Sequence, residues 1–224
     1  MNAKKLAYYF DHTYLKAFAT EKELFNLCDE ANLLGCHMIA INSYPVKKCR
    51  TYLKDSPVHV GAAIGFPLGQ TTVESKLFET KDALENGADE IDYVLNVGEV
   101  KAHNYSYIED EMKRMVELVH SYNKTIKVIF ENCYLDDEEK IELCHIAKKI
   151  EPDFIKTSTG FGTSGATIED VRLMKKEVGD KVQVKAAGGI RDLDTCLKMI
   201  EAGATRIGTS SSVKIIEEFN KRNG

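Results

Sequence analysis

Residues 153–191, DFIKTSTGFGTSGATIEDVRLMKKEVGDKVQVKAAGGIR, decide how the chain reads. The spacing predicts a strand over Asp153–Thr157, a glycine-rich loop, a helix over Thr167–Val178 and a second strand over Lys181–Ala186. Each strand carries one lysine near its C-terminal end, Lys156 and Lys185. Burying an unpaired ammonium is costly, so lysine inside an apolar strand asks for a reason. Neighbouring parallel strands lie about 4.8 Å apart, so the two amines would converge above the strand ends. A second ammonium and partial desolvation both disfavour protonation, and would bring a lysine from about 10.4 toward ~7–8, where it is a useful nucleophile. The alternative is two lysines snorkelling from a strand rim.

Working outward, strands are expected at Ala7–Phe10, His37–Ile41, His59–Ile64, Glu90–Leu95, Thr125–Phe130 and Ala204–Gly208 as well. Amphipathic helices are expected between them at Thr20–Leu34, Val73–Asn86, Tyr107–Tyr122, Asp136–Ile150, Leu193–Ala202 and Ser211–Lys221. Thr20 and Glu23 spell a capping box, and Gly35, Gly87, Gly179 and Gly203 fall where helices stop. Eight strands alternating with helices define a parallel α/β fold. An open doubly wound sheet fits the pattern too. The length of 224 residues, with polar groups recurring at strand C-terminal ends, selects a single-domain (β/α)8 TIM barrel over residues 1–224. No linker, low-complexity tract or repeat divides the chain.

Composition narrows the function. Charged residues make up 29% and hydrophobic ones 43%, as in a soluble globular protein, and the net charge of −5 argues against nucleic acid or an acidic membrane surface as partner. No apolar run suits a signal peptide or a membrane span. The six cysteines lack C-x-x-C spacing and read as reduced thiols of a cytoplasmic protein. The six histidines show neither H-E-x-x-H nor a tight ligand cluster, so no metal is expected, although His12 falls near the strand-end groups. No G-x-S-x-G elbow is present.

Residues 160–165, GFGTSG, match G-x-G-x-x-G, yet Lys185 stands where a dinucleotide site needs its acidic residue, and Asp180 precedes that strand. A Walker A loop fails as well, since Ala166–Thr167 follow. The loop reads instead as exposed amides near a phosphate, with Gly160 as the contact. Gly188, Gly189 and Arg191 after the seventh strand, with Gly208, Ser210 and Ser211 at the eighth, suit a barrel phosphate site; turn glycines and N-cap serines are the other reading. Asp92, in EIDYVL, is either a proton shuttle or the structural partner of a lysine. Asp11 and Thr13 either join a relay or, for Asp11, cap a turn. Lys16 reads as a solvent-exposed or rim lysine.

The blocks DHTYLK (11–16), IGFPLG (64–69), EIDYVLNVGE (90–99), KVIFENCYL (127–135), IKTSTGFG (155–162), VKAAGGIR (184–191) and GATRIGTSS (203–211) resemble the deoxyribose-phosphate aldolases, a class I aldolase family. The likeness runs over nearly the whole chain. It implies cofactor-free, reversible cleavage of 2-deoxyribose 5-phosphate, with Lys156 as the Schiff-base lysine, Asp92 as the proton-transfer aspartate and Lys185 beside them. It also implies a homodimer. Ala40 stands where many members have cysteine, Phe161 where some have lysine, and no tyrosine ends the chain. Glu131 and Cys133 match a family block without a role that chemistry assigns. The rival readings are another lysine-based sugar-phosphate enzyme, a non-enzymatic sugar-phosphate binder and, more remotely, an NAD oxidoreductase.

Overall fold

The computed structural model describes residues 1–223. In chain order the elements are α1 (Ala3–Ala7), β1 (Phe10–Thr13), α2 (Glu21–Leu34), β2 (Met38–Asn42), α3 (Val46–Tyr52), β3 (His59–Ile64), α4 (Val73–Glu85), β4 (Glu90–Val94), α5 (Val97–Lys101), α6 (Tyr105–Ser121), β5 (Thr125–Ile129), α7 (Asp137–Ile150), β6 (Phe154–Lys156), α8 (Ile168–Val178), β7 (Gln183–Ala187), α9 (Leu193–Glu201), β8 (Arg206–Thr209) and α10 (Ser212–Asn223). All eight strands pair in parallel and in sequence order, and β1 also pairs with β8, so the sheet closes. This is the (β/α)8 barrel expected from the alternation. Among the described residues, no helix is long and apolar enough to cross a membrane.

Strand period sorts the side chains into two populations. Phe10, Ile39, Ile41, Val60, Ala62, Ile64, Ile91, Tyr93, Ile126, Val128, Ile155, Val184, Ala186 and Ile207 join the helix faces in one continuous apolar core outside the barrel. The alternate positions, including Asp11, Met38, Glu90, Asp92, Lys127, Lys156, Lys185 and Arg206, face the barrel axis. Contacts such as Asp92 to Lys156 and Lys185 join strands that do not pair, which only the interior permits. Barrel interiors are ordinarily filled by branched apolar side chains. This one holds a band of charge among a few apolar side chains, Met38, Val94, Ile129 and Phe154.

The first strand begins later than the pattern suggests. Ala3–Ala7 forms a short helix capped by Asn2, whose side chain accepts from the Lys5 amide at 2.8 Å, so Ala7 is helical and β1 starts at Phe10. Apolar runs this short carry no distinction between the two periods. Asp11 and Thr13 consequently lie within β1 rather than after it. Helices α3 and α5 were also not expected; at seven and five residues they are too short to show periodicity. The Thr20–Glu23 capping box opens α2, and Gly35 ends it in the left-handed conformation at φ 75°.

Outside the barrel, a second buried charge pair fixes α4 to α6. Lys76 and Glu111 are both fully buried, 2.5 Å apart, and Glu111 also accepts the Asn96 amide at 3.1 Å. Burial pushes Lys76 down and Glu111 up despite their contact. Removing one partner leaves an uncompensated buried charge. Glu111→Leu is expected to lower unfolding free energy in urea by about 3–5 kcal/mol, and Lys76→Met with Glu111→Leu to recover much of it. Equal losses in single and double variants would show that the pair is not the cause.

Candidate active site

Lys156 ends β6 and lies directly opposite Lys185 on β7. Lys156 is 4% exposed and Lys185 0%, which removes the snorkelling alternative. Both donate to one oxygen, Oδ2 of Asp92, at 2.8 and 2.6 Å. The other oxygen of Asp92, on β4, accepts from Lys127 Nζ of β5 at 2.8 Å. Lys127 also meets Glu90 at 2.5 Å, and Arg206 of β8 bonds Asp11 at 2.7 Å and lies 3.3 Å from Glu90. Lys185 closes the circuit by an ion pair with Asp11. Asp11 is therefore part of this network and not a turn cap. Thr13 is less engaged: its hydroxyl donates to the Asp11 carbonyl at 2.8 Å.

Four cations thus face three carboxylates. Burial would push Asp92 up, but Lys127, Lys156 and Lys185 together hold it well below the ordinary carboxylate range. Asp11 is likewise lowered, because Arg206, Lys185 and Lys127 outweigh its burial. Burial opposes the charge on Lys127 too, yet Asp92, Glu90 and Asp11 hold it above the usual lysine value. Lys156 goes the other way. Burial is the largest cause, Lys185 and Lys127 add to it, and Asp92 only partly offsets them, leaving Lys156 at about 8. Three carboxylates balance three cations, and the fourth cation is the one that gives up its proton.

Lys156 is also the network lysine that reaches open space. A cavity of about 620 Å³ above the strand ends is lined by Lys156 together with Thr13, Gly160, Gly188, Gly189, Arg191, Gly208 and Ser210. Lys185, Lys127 and Asp92 lie beneath its floor. Ser211 is beside the wall rather than in it, and its amide donates to Thr209 Oγ1 at 2.9 Å. Gly188 and Gly189 have φ of 85° and 78°, a left-handed pair that glycine adopts without strain and that turns the chain after β7. Gly208 is needed for a different reason. A Cβ there would stand 3.1 Å from Lys185 Cε and 2.9 Å from Ala187 Cβ, so the absent side chain is the space through which Lys185 passes.

His12 lines the cavity as well, and is buried between Glu30, 2.7 Å from Nε2, and Ser212 Oγ, 3.0 Å from Nδ1. Burial lowers its pKa, which suits a neutral ring fixing the start of α10. Lys16 is exposed at the rim of the same cavity. The histidine spacing hid one cluster: His37 and His59 both reach Glu90 Oε1, at 3.0 and 2.8 Å, on the opposite side of the network from the cavity. Lys127 and Arg206 contact the same carboxylate, which makes it a poor seat for a further cation. Sequence reading missed Glu90, Lys127 and Arg206. Their signal was the one used for Lys156, a charged residue inside an apolar strand, and Glu90 stands two residues before Asp92 on the same face.

A (β/α)8 barrel carrying a desolvated lysine of lowered pKa at the C-terminal end of a strand has the anatomy of a barrel enzyme acting through an amine. The chain belongs to the DeoC/LacD family aldolases, whose pattern matches residues 5–217. It is 52% identical over 219 residues to the deoxyribose-phosphate aldolase of Thermococcus kodakarensis, covering 97% of this chain and 98% of that one. It is 55% identical over 212 residues to the deoxyribose-phosphate aldolase of Lactobacillus acidophilus, covering 95% and 90%. The tetrameric deoxyribose phosphate aldolase of Aeropyrum pernix superposes with a TM-score of 0.92 at 33% identity, covering 99% of this chain and 93% of that one.

Gly208→Ala introduces no forbidden backbone angle but fills the channel of Lys185. It is expected to cut kcat by about 10- to 100-fold with the barrel intact by circular dichroism, the scale of a displacement near 1 Å at a reacting centre. Unchanged kcat would mean that Lys185 can move without consequence.

Proposed function

We propose that this aldolase reversibly cleaves 2-deoxy-D-ribose 5-phosphate to acetaldehyde and D-glyceraldehyde 3-phosphate through a Schiff base on Lys156. The observation that carries the reading is the single Asp92 oxygen shared by two lysines, only one of which faces the cavity. The names of the relatives support the substrate. Glycine amides and Arg191 beside Lys156 fit a phosphate at the far end of a five-carbon aldehyde.

Neutral Lys156 attacks the C1 aldehyde; the carbinolamine loses water and leaves a protonated imine. The imine withdraws the C2–C3 bonding pair as the C3 hydroxyl gives up its proton, and glyceraldehyde 3-phosphate departs. The enamine on Lys156 is then protonated at C2, and water releases acetaldehyde and the free amine. Asp92 and Lys185 are placed to move these protons, with Asp11 and Lys127 holding the pair in position. Arg191, Gly160, Gly188, Gly189, Gly208 and Ser210 are assigned to the phosphate, with Ser211 behind them, and Thr13 to the sugar end of the cavity. Apart from water, every step uses groups of the chain itself. The same reading takes the protein as a cytoplasmic homo-oligomer, with a homodimer as the favoured form.

Borohydride added with 2-deoxyribose 5-phosphate is expected to fix a reduced adduct on Lys156, mapped by peptide mass, and absent in Lys156→Ala. An adduct on Lys185 would exchange the roles of the two lysines; phosphate binding without any adduct would leave a binder. The pH profile supplies an independent check. Protonated amine is inert, so kcat/KM should fall below about 8, the pKa of Lys156, approaching tenfold per pH unit. Asp92 supports the charge on Lys156, so Asp92→Asn should move that acid limb to lower pH while reducing kcat. A limb that stays in place would show that another group controls it.

A further inference from the structure

Glu131 has no place in the chemistry above, yet its geometry is unusual. It follows β5 with φ 58° and ψ 59°, a left-handed conformation that costs a non-glycine residue roughly 1–2 kcal/mol. Its side chain is only 3% exposed, and among the described residues no cation pairs with it. A buried carboxylate in that position is stable only if directed hydrogen bonds replace its water. Both of its oxygens go to one residue: Oε1 accepts the Thr159 amide at 3.0 Å, and Oε2 accepts the Thr159 hydroxyl. Thr159 Oγ1 in turn accepts the Phe161 amide at 3.0 Å.

The location of this clamp gives it meaning. Strand β6 is three residues long, so regular pairing stops at the reacting lysine. The Phe130 amide donates to the Lys156 carbonyl at 3.0 Å and the Asn132 amide to the Thr157 carbonyl at 2.9 Å. Beyond Thr157 the ladder has no further rung from β5, and the Glu131 side chain supplies it. The loop then presses back on the same place: a Cβ on Gly162 would lie 2.6 Å from Cys133 Sγ and 3.2 Å from Glu131 Cδ. At its other end the loop is tied to β7, where the Ala166 amide donates to the carbonyls of Ala187 and Gly188 at 3.1 and 3.0 Å. Thr159, Gly160 and Phe161 line the cavity that Lys156 enters.

We propose that Glu131 is a positioning residue for phosphate recognition: its carboxylate fixes the 157–162 loop and so sets the distance between the bound phosphate and the Lys156 amine. The inference rests on the function proposed above for the identity of the phosphate's bearer. A Schiff base forms efficiently only when the aldehyde carbon lies about 3–3.5 Å from the amine, and the anchored phosphate supplies that placement from the other end of the substrate. The loop amides are the only part of the cradle that shares a chain segment with Lys156, three or four residues away. Displacing them breaks the correspondence while leaving the ion network beneath untouched. A substrate without phosphate does not use the cradle and does not feel the change.

The test compares 2-deoxyribose 5-phosphate with 2-deoxyribose in wild type, Glu131→Gln and Glu131→Ala, alongside calorimetric binding of inorganic phosphate. Glu131→Ala is expected to lose about 100-fold in kcat/KM for the phosphorylated sugar, chiefly through KM. Less than about tenfold should be lost for 2-deoxyribose, and inorganic phosphate should bind more weakly. Glu131→Gln keeps a carbonyl acceptor for the Thr159 amide and should recover most of the difference. Equal losses on both sugars, or unchanged binding of inorganic phosphate, would overturn the proposal and leave Glu131 as a peg for the whole barrel. If Glu131→Ala does not fold, Thr159→Val reads the same link by removing the hydroxyl, and discrimination between the sugars equal to wild type then overturns it. Absence of a borohydride adduct in wild type would sink the function and not the clamp, because weaker inorganic phosphate binding by Glu131→Ala than by wild type still decides it.

Discussion

The constraint on which the rest of this structure depends is charge closure inside the barrel. Asp11, Glu90 and Asp92 stand against Lys127, Lys156, Lys185 and Arg206 in a space closed on every side by sheet. Ionised groups out of water are tolerated only when paired and hydrogen-bonded, and such networks are weak contributors to stability. Their retention here has a chemical consequence. With three anions available, the cavity lysine is the cation least well compensated, and its proton is held loosely enough to leave near pH 8.

Small residues follow from the same constraint. Long charged side chains reaching across the axis need room, and small residues, Ala40, Gly61, Ala63, Ala187 and Gly208, take five of the inward positions beside them. Met38 fills the space left at Gly61, where any Cβ would collide with its thioether, and its sulfur lies 3.6 Å from Lys127 Nζ. Ala40 therefore belongs to a set of small residues that leave the network its volume. Outside the barrel the division of labour reverses: stability comes from one continuous apolar shell between strands and helices, with no chemistry in it.

Above the strands, the loops convert this fixed floor into a site. Their amides come from β6, β7 and β8, and they are held by side chains that do not touch the reacting atoms, His12 beneath α10 and Glu131 beneath the β6 loop. Phe161 rests edge-on against Phe66 with ring centroids 5.4 Å apart and forms part of the cavity wall. The rim is thus partly apolar there, and Arg191 and Lys16 are the cations at that rim.

The alternation of apolar strands and amphipathic helices determined a parallel α/β fold, because burial of one face per element is written into period and spacing, and length with polar strand ends selected the barrel. The lysines at Lys156 and Lys185 were legible for the same reason: charge within an apolar strand has no innocent place. Boundaries of short elements were not, since α1, α3 and α5 are stabilised by caps and packing rather than by periodicity. Nor could the chain alone say that Asp92 touches both lysines, that Asp11 is bound to Arg206 195 residues away, or that Glu131 holds Thr159. Those contacts cross the barrel axis, span the β1–β8 seam or join neighbouring loops. Closure of the sheet brings them together, and only closure decides which of several buried cations is left without a full share of negative charge.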